Sequence, residues 1–349
     1  MIFASDNWAG AHPEIAENMA RHAAGYASAY GSSELDRKVE RLFNDIFEQE
    51  VAVFFVGTGT AANSLSMSAV SRPGGVVFCH SGAHMIADEG GAPEYFTHGG
   101  RLCPVDGALG RITPAALEAK IGLYPPAFIH SGQPAAVSIT QATEIGTVYT
   151  SEQIGGISEV AKKHGLPLHM DGARFANALV SLNISPAEMT WKNGVDIVSF
   201  GGTKNGCWCA EAVVFMNPDH AREFPFIRKR AAQLFSKSRF IAAQFETYLA
   251  GDLWLRSARH ANAMSARLAG HVKASSQARL GWEPQANELF PVMKKEAVDA
   301  LRDKGAAFYP WHPPHGFDGA IADDETMTRF VTSFATTEEE VDRFGAMIA

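Results

Sequence analysis

Short apolar segments that alternate with amphipathic ones constrain the fold of this 349-residue chain more than any other feature. Residues 51–56 form an apolar run suited to a strand buried on both faces of a sheet. Apolar residues at helical spacing predict helices over 35–47 and 151–164. Because strands and helices alternate along the chain, we predict an α/β fold with a mostly parallel sheet. The other candidate strands are 75–79, 137–140, 166–170, 195–200 and 212–216.

The pattern changes after about residue 245. Long helical segments there give way to short apolar runs at 290–293, 306–309 and 328–331. We therefore expect an N-terminal arm and a large domain over residues 1–249, followed by a smaller α+β domain over residues 250–349. No internal repeat or low-complexity linker is evident.

The charge and composition of the chain argue against several classes of protein. Its net charge of -8 argues against a nucleic-acid partner, which would need a concentrated basic face. No segment approaches the roughly 20 apolar residues of a membrane span. The four cysteines do not make a disulfide framework in a chain of this length, so we expect a cytoplasmic protein. Cys207 and Cys209 have no second pair or nearby histidine to complete a zinc set, so no metal site is predicted.

Polar residues follow several of the candidate strands, where ligands bind in open α/β sheets. Gly59 and Thr60 come after the first strand at a helix start, where exposed N–H groups and the helix dipole favour a phosphate. An ordinary threonine-capped helix has the same sequence pattern. Asp171 ends a buried strand, and a carboxylate there needs a cationic partner. That partner is either a pyridinium ring or the nearby Arg174.

Lys204 lies in a turn of small residues at the end of another strand. Alone it would be interpreted as a solvated surface lysine, but it follows the phosphate turn and the strand-end acid in the order expected of one site. We therefore predict that Lys204 binds pyridoxal 5'-phosphate (PLP) as a Schiff base, with Asp171 keeping the pyridine nitrogen protonated. His84 follows the second strand and could stack on the cofactor and move protons. A lone histidine is more often a hydrogen-bonded loop residue.

These segments resemble the PLP-dependent low-specificity L-threonine aldolases of the pseudomonad type, a family of the aspartate aminotransferase fold. The resemblance runs over nearly the whole chain, and its most specific parts are residues 169–175 and 200–206. It implies fold type I, with a mostly parallel seven-stranded sheet in the large domain and a smaller α+β C-terminal domain. Other matching segments are 3–7, 29–31, 59–64, 83–84, 90–94, 139–144 and 146–149.

The resemblance also implies roles for individual residues. His84 would stack on the cofactor and is the candidate base, while Tyr30 matches a residue that a neighbouring subunit contributes in relatives. We therefore expect a homodimer or homotetramer with shared active sites. The implied cofactor-binding residues are Lys204, Gly59, Thr60, His84, Asp171, Arg174, Thr203 and Lys237. The implied substrate-binding residues are Ser5, Tyr30, Arg174, Arg329 and Glu144.

Two positions depart from the family pattern. Many relatives have a second active-site histidine at the position of Glu144. The family's usual phosphate-binding arginine falls near Lys237, so Lys237 or Arg239 would replace it.

The implied reaction is retro-aldol cleavage of L-threonine, L-allo-threonine and related L-β-hydroxy-α-amino acids, phenylserine among them, to glycine and an aldehyde. The alternative is a PLP-dependent β-eliminating lyase of aromatic or sulfur-containing amino acids. A non-catalytic PLP-binding module and a metal-dependent aldolase are less favoured, because substrate-side residues are present and no metal-ligand cluster is visible.

Overall fold

The computed structural model describes residues 1–349, and a seven-stranded sheet lies at the centre of its larger part. The strand order is β1-β7-β6-β5-β4-β2-β3, and only β7 runs antiparallel to its neighbours. The predicted α/β fold with a mostly parallel sheet is confirmed. The strands are β1 (Ala52–Val56), β2 (Gly75–His80), β3 (Arg101–Val105), β4 (Gln133–Thr140), β5 (Leu168–Gly172), β6 (Ile197–Gly201) and β7 (Glu211–Phe215).

Helices surround the sheet, and those predicted over 35–47, over 151–164 and from Gly59 onward are α2, α7 and α3 below. The side chain of Ser33 and that of Asp36 cap the start of α2 reciprocally, which fixes where this helix begins. None of the helices is both long and apolar enough to cross a membrane. The helices are α1 (Pro13–Arg21), α2 (Glu34–Phe47), α3 (Gly59–Val70), α4 (His84–Ala87), α5 (Ala92–Phe96), α6 (Pro114–Gly122), α7 (Ser151–Lys163), α8 (Phe175–Leu182), α9 (Pro186–Met189), α10 (Phe224–Arg230), α11 (Arg239–Leu249), α12 (Leu253–Ala274), α13 (Lys295–Asp303) and α14 (Glu338–Ile348).

Strand β3 was not among the strands predicted from the sequence. It lies at the edge of the sheet and pairs only with β2. Arg101 and Pro104 in this strand are exposed, so the segment lacks the uniform apolarity of the central strands. Proline is tolerated there because an edge strand leaves one row of N–H groups unpaired.

A smaller, five-stranded antiparallel sheet forms the second domain, as predicted. Phe3 of the N-terminal segment packs in its core against Phe330 and Phe344. The Phe3 N–H donates to the carbonyl of Ala307 at 2.8 Å, and its carbonyl accepts from Val331 at 2.8 Å. The start of the chain is therefore fixed to the smaller domain. The strands of this sheet are β8 (Ala278–Leu280), β9 (Glu288–Leu289), β10 (Pro291–Lys294), β11 (Tyr309–Pro310) and β12 (Glu325–Val331).

A cluster of buried aromatic rings supports β6, the strand that precedes Lys204. The ring of Phe200 lies 5.1 Å from that of Phe43, 5.1 Å from that of Phe175 and 5.8 Å from that of Trp254, measured between centroids. Such pairs add stability beyond their buried area and hold rings in fixed geometries. The lysine turn therefore rests on a rigid base.

Candidate active site

A cavity of about 410 Å³ opens at the carboxyl ends of the central strands. Its lining includes six of the residues that the sequence predicted to meet at one site: Gly59, Thr60, His84, Asp171, Thr203 and Lys204. It also includes Asn63 and Glu211, which the sequence did not single out. The structure thus brings together residues from the ends of β1, β5 and β6.

The turn after β1 leaves room for an anion. The Thr58 side chain caps α3 by accepting from the N–H of Ala61 at 3.1 Å. The first N–H groups of a helix have no partner within the helix, and those of Gly59 and Thr60 lie at the cavity wall. A Cβ on Gly59 would meet nothing within 4 Å, so packing within the protein does not require glycine here. Lys204 is the only lysine or arginine that lines the cavity.

Asp171 is held by two donors at the end of β5. Its Oδ2 accepts from the side-chain amide of Asn63 at 2.9 Å, and its Oδ1 accepts from the N–H of Ala173 at 3.0 Å. The pair between Asp171 and Arg174, one of the two alternatives open from the sequence, is not formed. The carboxylate is therefore fixed at the cavity wall, where a pyridinium N–H could reach it.

A hydrogen-bonded chain connects His84 with Asp171. The Nδ1 of His84 bonds to Oε1 of Glu89 at 3.0 Å, and the Asn63 amide donates to the same oxygen at 2.8 Å. This bond to Glu89 raises the pKa of His84, although partial burial of the imidazole acts in the opposite direction. Burial raises the pKa of Glu89. Glu89 and Asn63 were missed because an acidic turn residue and a helical asparagine carry no signal of their own; the φ of 57° at Gly90 marks the tight turn that follows Glu89.

Lys204 lies in the short 3-10 turn Thr203–Asn205. The Asn205 side chain donates to the Tyr248 hydroxyl at 2.8 Å and to the carbonyl of Trp254 at 2.9 Å. A Cβ on Gly201 would lie 2.5 Å from the carbonyl oxygen of Ala173, so only glycine fits where β6 enters the turn. The turn is rigid and directs Lys204 to the cavity.

A second group of charges lies between the two domains. Arg174 donates to both carboxylate oxygens of Asp6, at 2.7 Å and 3.1 Å, and lies 3.2 Å from Glu288. Burial disfavours the charged guanidinium, but the two carboxylates outweigh it and the pKa of Arg174 is raised. Burial likewise opposes the charge on Asp6, yet Arg174 and Lys204 hold its pKa below the usual value. Burial raises the pKa of Glu288 to about 7.

Arg329 and Ser5 lie on the small-domain side of this group. The guanidinium of Arg329 is 4.0 Å from Glu288, stacks 4.5 Å from the ring of Trp311 and donates to the carbonyl of Ala4 at 3.3 Å. The hydroxyl of Ser5 accepts from the N–H of Asn7. Arg329, Arg174 and Ser5 therefore come together, as the resemblance implied, although Asp6 and Glu288 were not foreseen.

Three other residues lie outside the main cavity. Glu144 lines a neighbouring cavity of about 230 Å³ with His80 and His315. Tyr30 is 53% exposed, and Lys237 is also exposed. Neither lines the cavity of its own chain, so their assignments stay predictions for a site shared between chains. Arg239, the alternative to Lys237, donates instead to the carbonyl of Gly25 at 3.1 Å.

The donors around the main cavity fit PLP. Asp171 is placed for the pyridinium nitrogen, the Gly59 turn for the phosphate and Lys204 for the aldehyde carbon. His84 lies at the same cavity, where its imidazole can meet an aromatic ring. No group of three or more histidine, cysteine, aspartate or glutamate side chains is arranged to hold a metal ion.

Known proteins match this chain over most of its length. The family described as Beta-eliminating lyase matches residues 3–295. The low specificity L-threonine aldolase of Pseudomonas aeruginosa is 43% identical over 307 residues, which are 88% of this chain and 88% of that protein. Another, from a Pseudomonas species, is 40% identical and covers 99% of this chain and 96% of its own. A solved structure of Leishmania major threonine aldolase has a TM-score of 0.92 at 28% identity, covering 99% of this chain and 98% of that one.

Fold and donor set together define a PLP-dependent enzyme of fold type I. The chain belongs to the beta-eliminating lyase family and, within it, to the branch of the low-specificity L-threonine aldolases.

Proposed function

We propose that the protein cleaves L-threonine, L-allo-threonine and related L-β-hydroxy-α-amino acids to glycine and an aldehyde. The observation that carries this proposal is the meeting of Lys204, Asp171 and His84 at one cavity. Two relatives that are 43% and 40% identical bear the name low specificity L-threonine aldolase. The roles proposed for individual side chains are based on their positions in the fold.

Bound PLP supplies an electron sink for the pair released when the Cα–Cβ bond of the substrate breaks. Lys204 would provide the amine that holds the cofactor. Arg329 and Ser5 bind the substrate carboxylate, because a guanidinium matches a carboxylate in geometry and charge. Arg174 forms a salt bridge with Asp6 and adds a positive charge near the proposed carboxylate-binding residues.

His84 is the proposed base that takes the proton of the β-hydroxyl group. Its Nδ1–H is directed at Glu89, which leaves Nε2 as the basic nitrogen. Glu144 lines the neighbouring cavity, and its negative charge contributes to the raised pKa of His84, so we infer that it lies on the side of the substrate's β-substituent. We assign Glu144 to contacts with that substituent rather than to the base.

The cofactor assignment has a direct test. The purified protein should be yellow and should form glycine and acetaldehyde from L-threonine, and Lys204→Ala should lose both the colour and the activity. Lys192→Ala is the matched control, because Lys192 pairs with Glu48 at the surface and does not line the cavity. A colourless wild-type protein that does not respond to added PLP would contradict the proposal.

A β-eliminating lyase is the second candidate, because the family description carries that name. It would use Lys204 and Asp171 in the same way but release pyruvate and ammonia from its substrate. Measuring acetaldehyde and pyruvate in parallel, with L-threonine, tryptophan and cysteine as substrates, separates the two. Pyruvate without acetaldehyde would favour the lyase.

We also propose that the enzyme works in the cytoplasm as a homodimer or homotetramer with shared active sites. Support comes from the cavity, which has no arginine of its own, and from the position of Tyr30 and Lys237 outside it. The proposed domains are residues 1–249 and 250–349. Light scattering of the purified holoenzyme measures the oligomeric state, and a monomer that is fully active would overturn the shared site.

A further inference from the structure

Glu211 is a buried carboxyl group at the cavity for which the proposed chemistry has no task. It is the first residue of β7 and is 5% exposed. Across the sheet it pairs with Val56 at the end of β1 and with Gly201 at the end of β6. Because β1 leads into the Gly59 turn and β6 leads into the Lys204 turn, Glu211 lies between the two.

The surroundings of Glu211 favour the protonated form of its carboxyl group more than water does. Burial raises the pKa of Glu211 to about 7, although hydrogen bonds from Thr203 and the charge of Lys204 act in the opposite direction. The N–H of Thr203 donates to its Oε1 at 3.3 Å. The titratable groups that face it are Lys204, Asp171, Cys207, Cys209 and Tyr248, and only Lys204 is a cation.

A phosphate at the Gly59 turn would change the balance between the protonated and the ionised form of Glu211. No arginine of the same chain lines the cavity, so within one chain only helix N–H groups and Lys204 offset the charge of a phosphate there. An ionised Glu211 would repel the phosphate, and the repulsion is strong in a site shielded from water. A protonated Glu211 has an O–H that can donate to a phosphate oxygen, and hydrogen bonds to a charged acceptor are among the stronger ones.

We propose that Glu211 binds the phosphate group of the cofactor in its protonated form, as a hydrogen-bond donor, so that cofactor binding takes up a proton. This inference rests on the proposed PLP function. A carboxyl group of this chain would then contribute to phosphate binding, which a cation would otherwise provide.

The sign of the pH dependence follows from linkage. A bound phosphate favours the protonated carboxyl and therefore raises the pKa of Glu211 further. At a pH between the values of the free and the bound protein, binding draws a proton from solution. Affinity for the phosphate compound is then highest at low pH and falls by up to about tenfold per pH unit as the pH rises through this window.

Pyridoxine 5'-phosphate is the probe for this test, because it has no aldehyde and does not condense with Lys204. Titration calorimetry at pH 8, in buffers of different ionisation enthalpy, counts the protons taken up on binding. The wild type should take up about half a proton or more beyond the Glu211→Gln variant. Protonation of the ring is common to both proteins, so the difference reports Glu211. The glutamine keeps the acceptor for Thr203 and offers an N–H donor to the phosphate.

Glu288→Gln is the matched control, since Glu288 is also buried with a pKa raised to about 7 but does not line the cavity. It should leave proton uptake unchanged. From pH 7 to pH 9 the affinity of Glu211→Gln should fall several-fold less than that of the wild type. Equal proton uptake by the wild type and Glu211→Gln would overturn this inference and leave the proposed PLP function standing. A wild type that takes up no proton on binding would do the same. If pyridoxine 5'-phosphate does not bind the wild type at all, the proposed PLP function falls with it.

Discussion

Glu89 connects two functional side chains, because one of its oxygens bonds to His84 and also accepts from Asn63, which in turn bonds to Asp171. The residue is buried, so its negative charge acts on the imidazole with little screening. In this arrangement Glu89 orients the ring of His84 and makes it more basic. The basicity of the proposed base is thus set by a residue that does not line the cavity.

We therefore expect Glu89→Gln to shift the pH profile of threonine cleavage. His84 acts as a base only when it is neutral, and Glu89 raises its pKa, so activity is lost as the pH falls through that raised value. An uncharged glutamine lowers the pKa of His84, and the acidic limb of kcat/KM should move to lower pH. The rate at the optimum should fall by less than the roughly 10²–10⁴-fold that a general base contributes.

Asp88→Asn is the control for this pH profile, because Asp88 is the exposed neighbour of Glu89. It removes one negative charge nearby without removing the bond to His84. An acidic limb that moves equally in both variants, or in neither, would show that Glu89 does not set the basicity of His84.

Asp171 and Lys204 could be predicted from the sequence because each follows an apolar run and so lies at the end of a buried strand. Asn63 could not, since it reaches Asp171 across 108 positions of the chain, and only packing brings α3 against β5. Asp6 is a comparable case: it partners Arg174 from 168 positions away. A single sequence does not specify such pairings, because the short polar side chain of each partner also suits a solvated turn or cap.

Strands were predictable from the sequence to different extents. The central strands β5, β6 and β7 are buried at every position, and this leaves mostly apolar segments in the sequence. The edge strand β3 alternates between exposed and buried residues and contains a proline. The short strand β9 owes its existence to pairing with β12. Elements fixed by their own apolarity could be predicted, while those fixed by a neighbour could not.

The start of α3 and the end of β6 each have a glycine, and the two have different tasks. We expect Gly59→Ala to fold as well as the wild type, because a Cβ there meets nothing within 4 Å and alanine suits a helix. The added methyl group would obstruct the approach of the phosphate to the helix N–H groups, so PLP should bind roughly tenfold more weakly, or by about 1.4 kcal/mol.

Gly201→Ala should instead lower the stability of the fold, since its Cβ would lie 2.5 Å from the carbonyl oxygen of Ala173. Thermal unfolding of the two apoproteins and titration with PLP distinguish the effects. A Gly59→Ala variant that loses stability but keeps its PLP affinity would contradict the assignment of this turn to the phosphate.

At the scale of the whole molecule, the N-terminal segment joins the two domains at the site. Phe3 is bonded to the small sheet, while Asp6, a few residues later, accepts from Arg174 of the large domain. Asp6 also accepts from Asn287, next to Glu288, at 3.1 Å. The residues proposed to bind the substrate carboxylate are therefore positioned by contacts from both domains. A movement of one domain against the other would alter this group before it altered the lysine turn.

The last prediction concerns sites shared between chains. Tyr30 lies outside the cavity of its own chain, half exposed, with the amine of Lys229 5.5 Å from its ring. If Tyr30 completes the site of a neighbour, Lys204→Ala and Tyr30→Ala should each be impaired alone but should complement each other. A mixed dimer then contains one intact site, because the Lys204→Ala subunit lends its Tyr30 to the subunit that retains Lys204. Random exchange of equal amounts should restore about a quarter of wild-type activity per subunit.

The measurement is the rate of glycine formation after the holoenzymes are unfolded together and refolded with PLP, with each variant refolded separately as the control. Activity that merely equals the mean of the two separate variants would place Tyr30 outside a shared site.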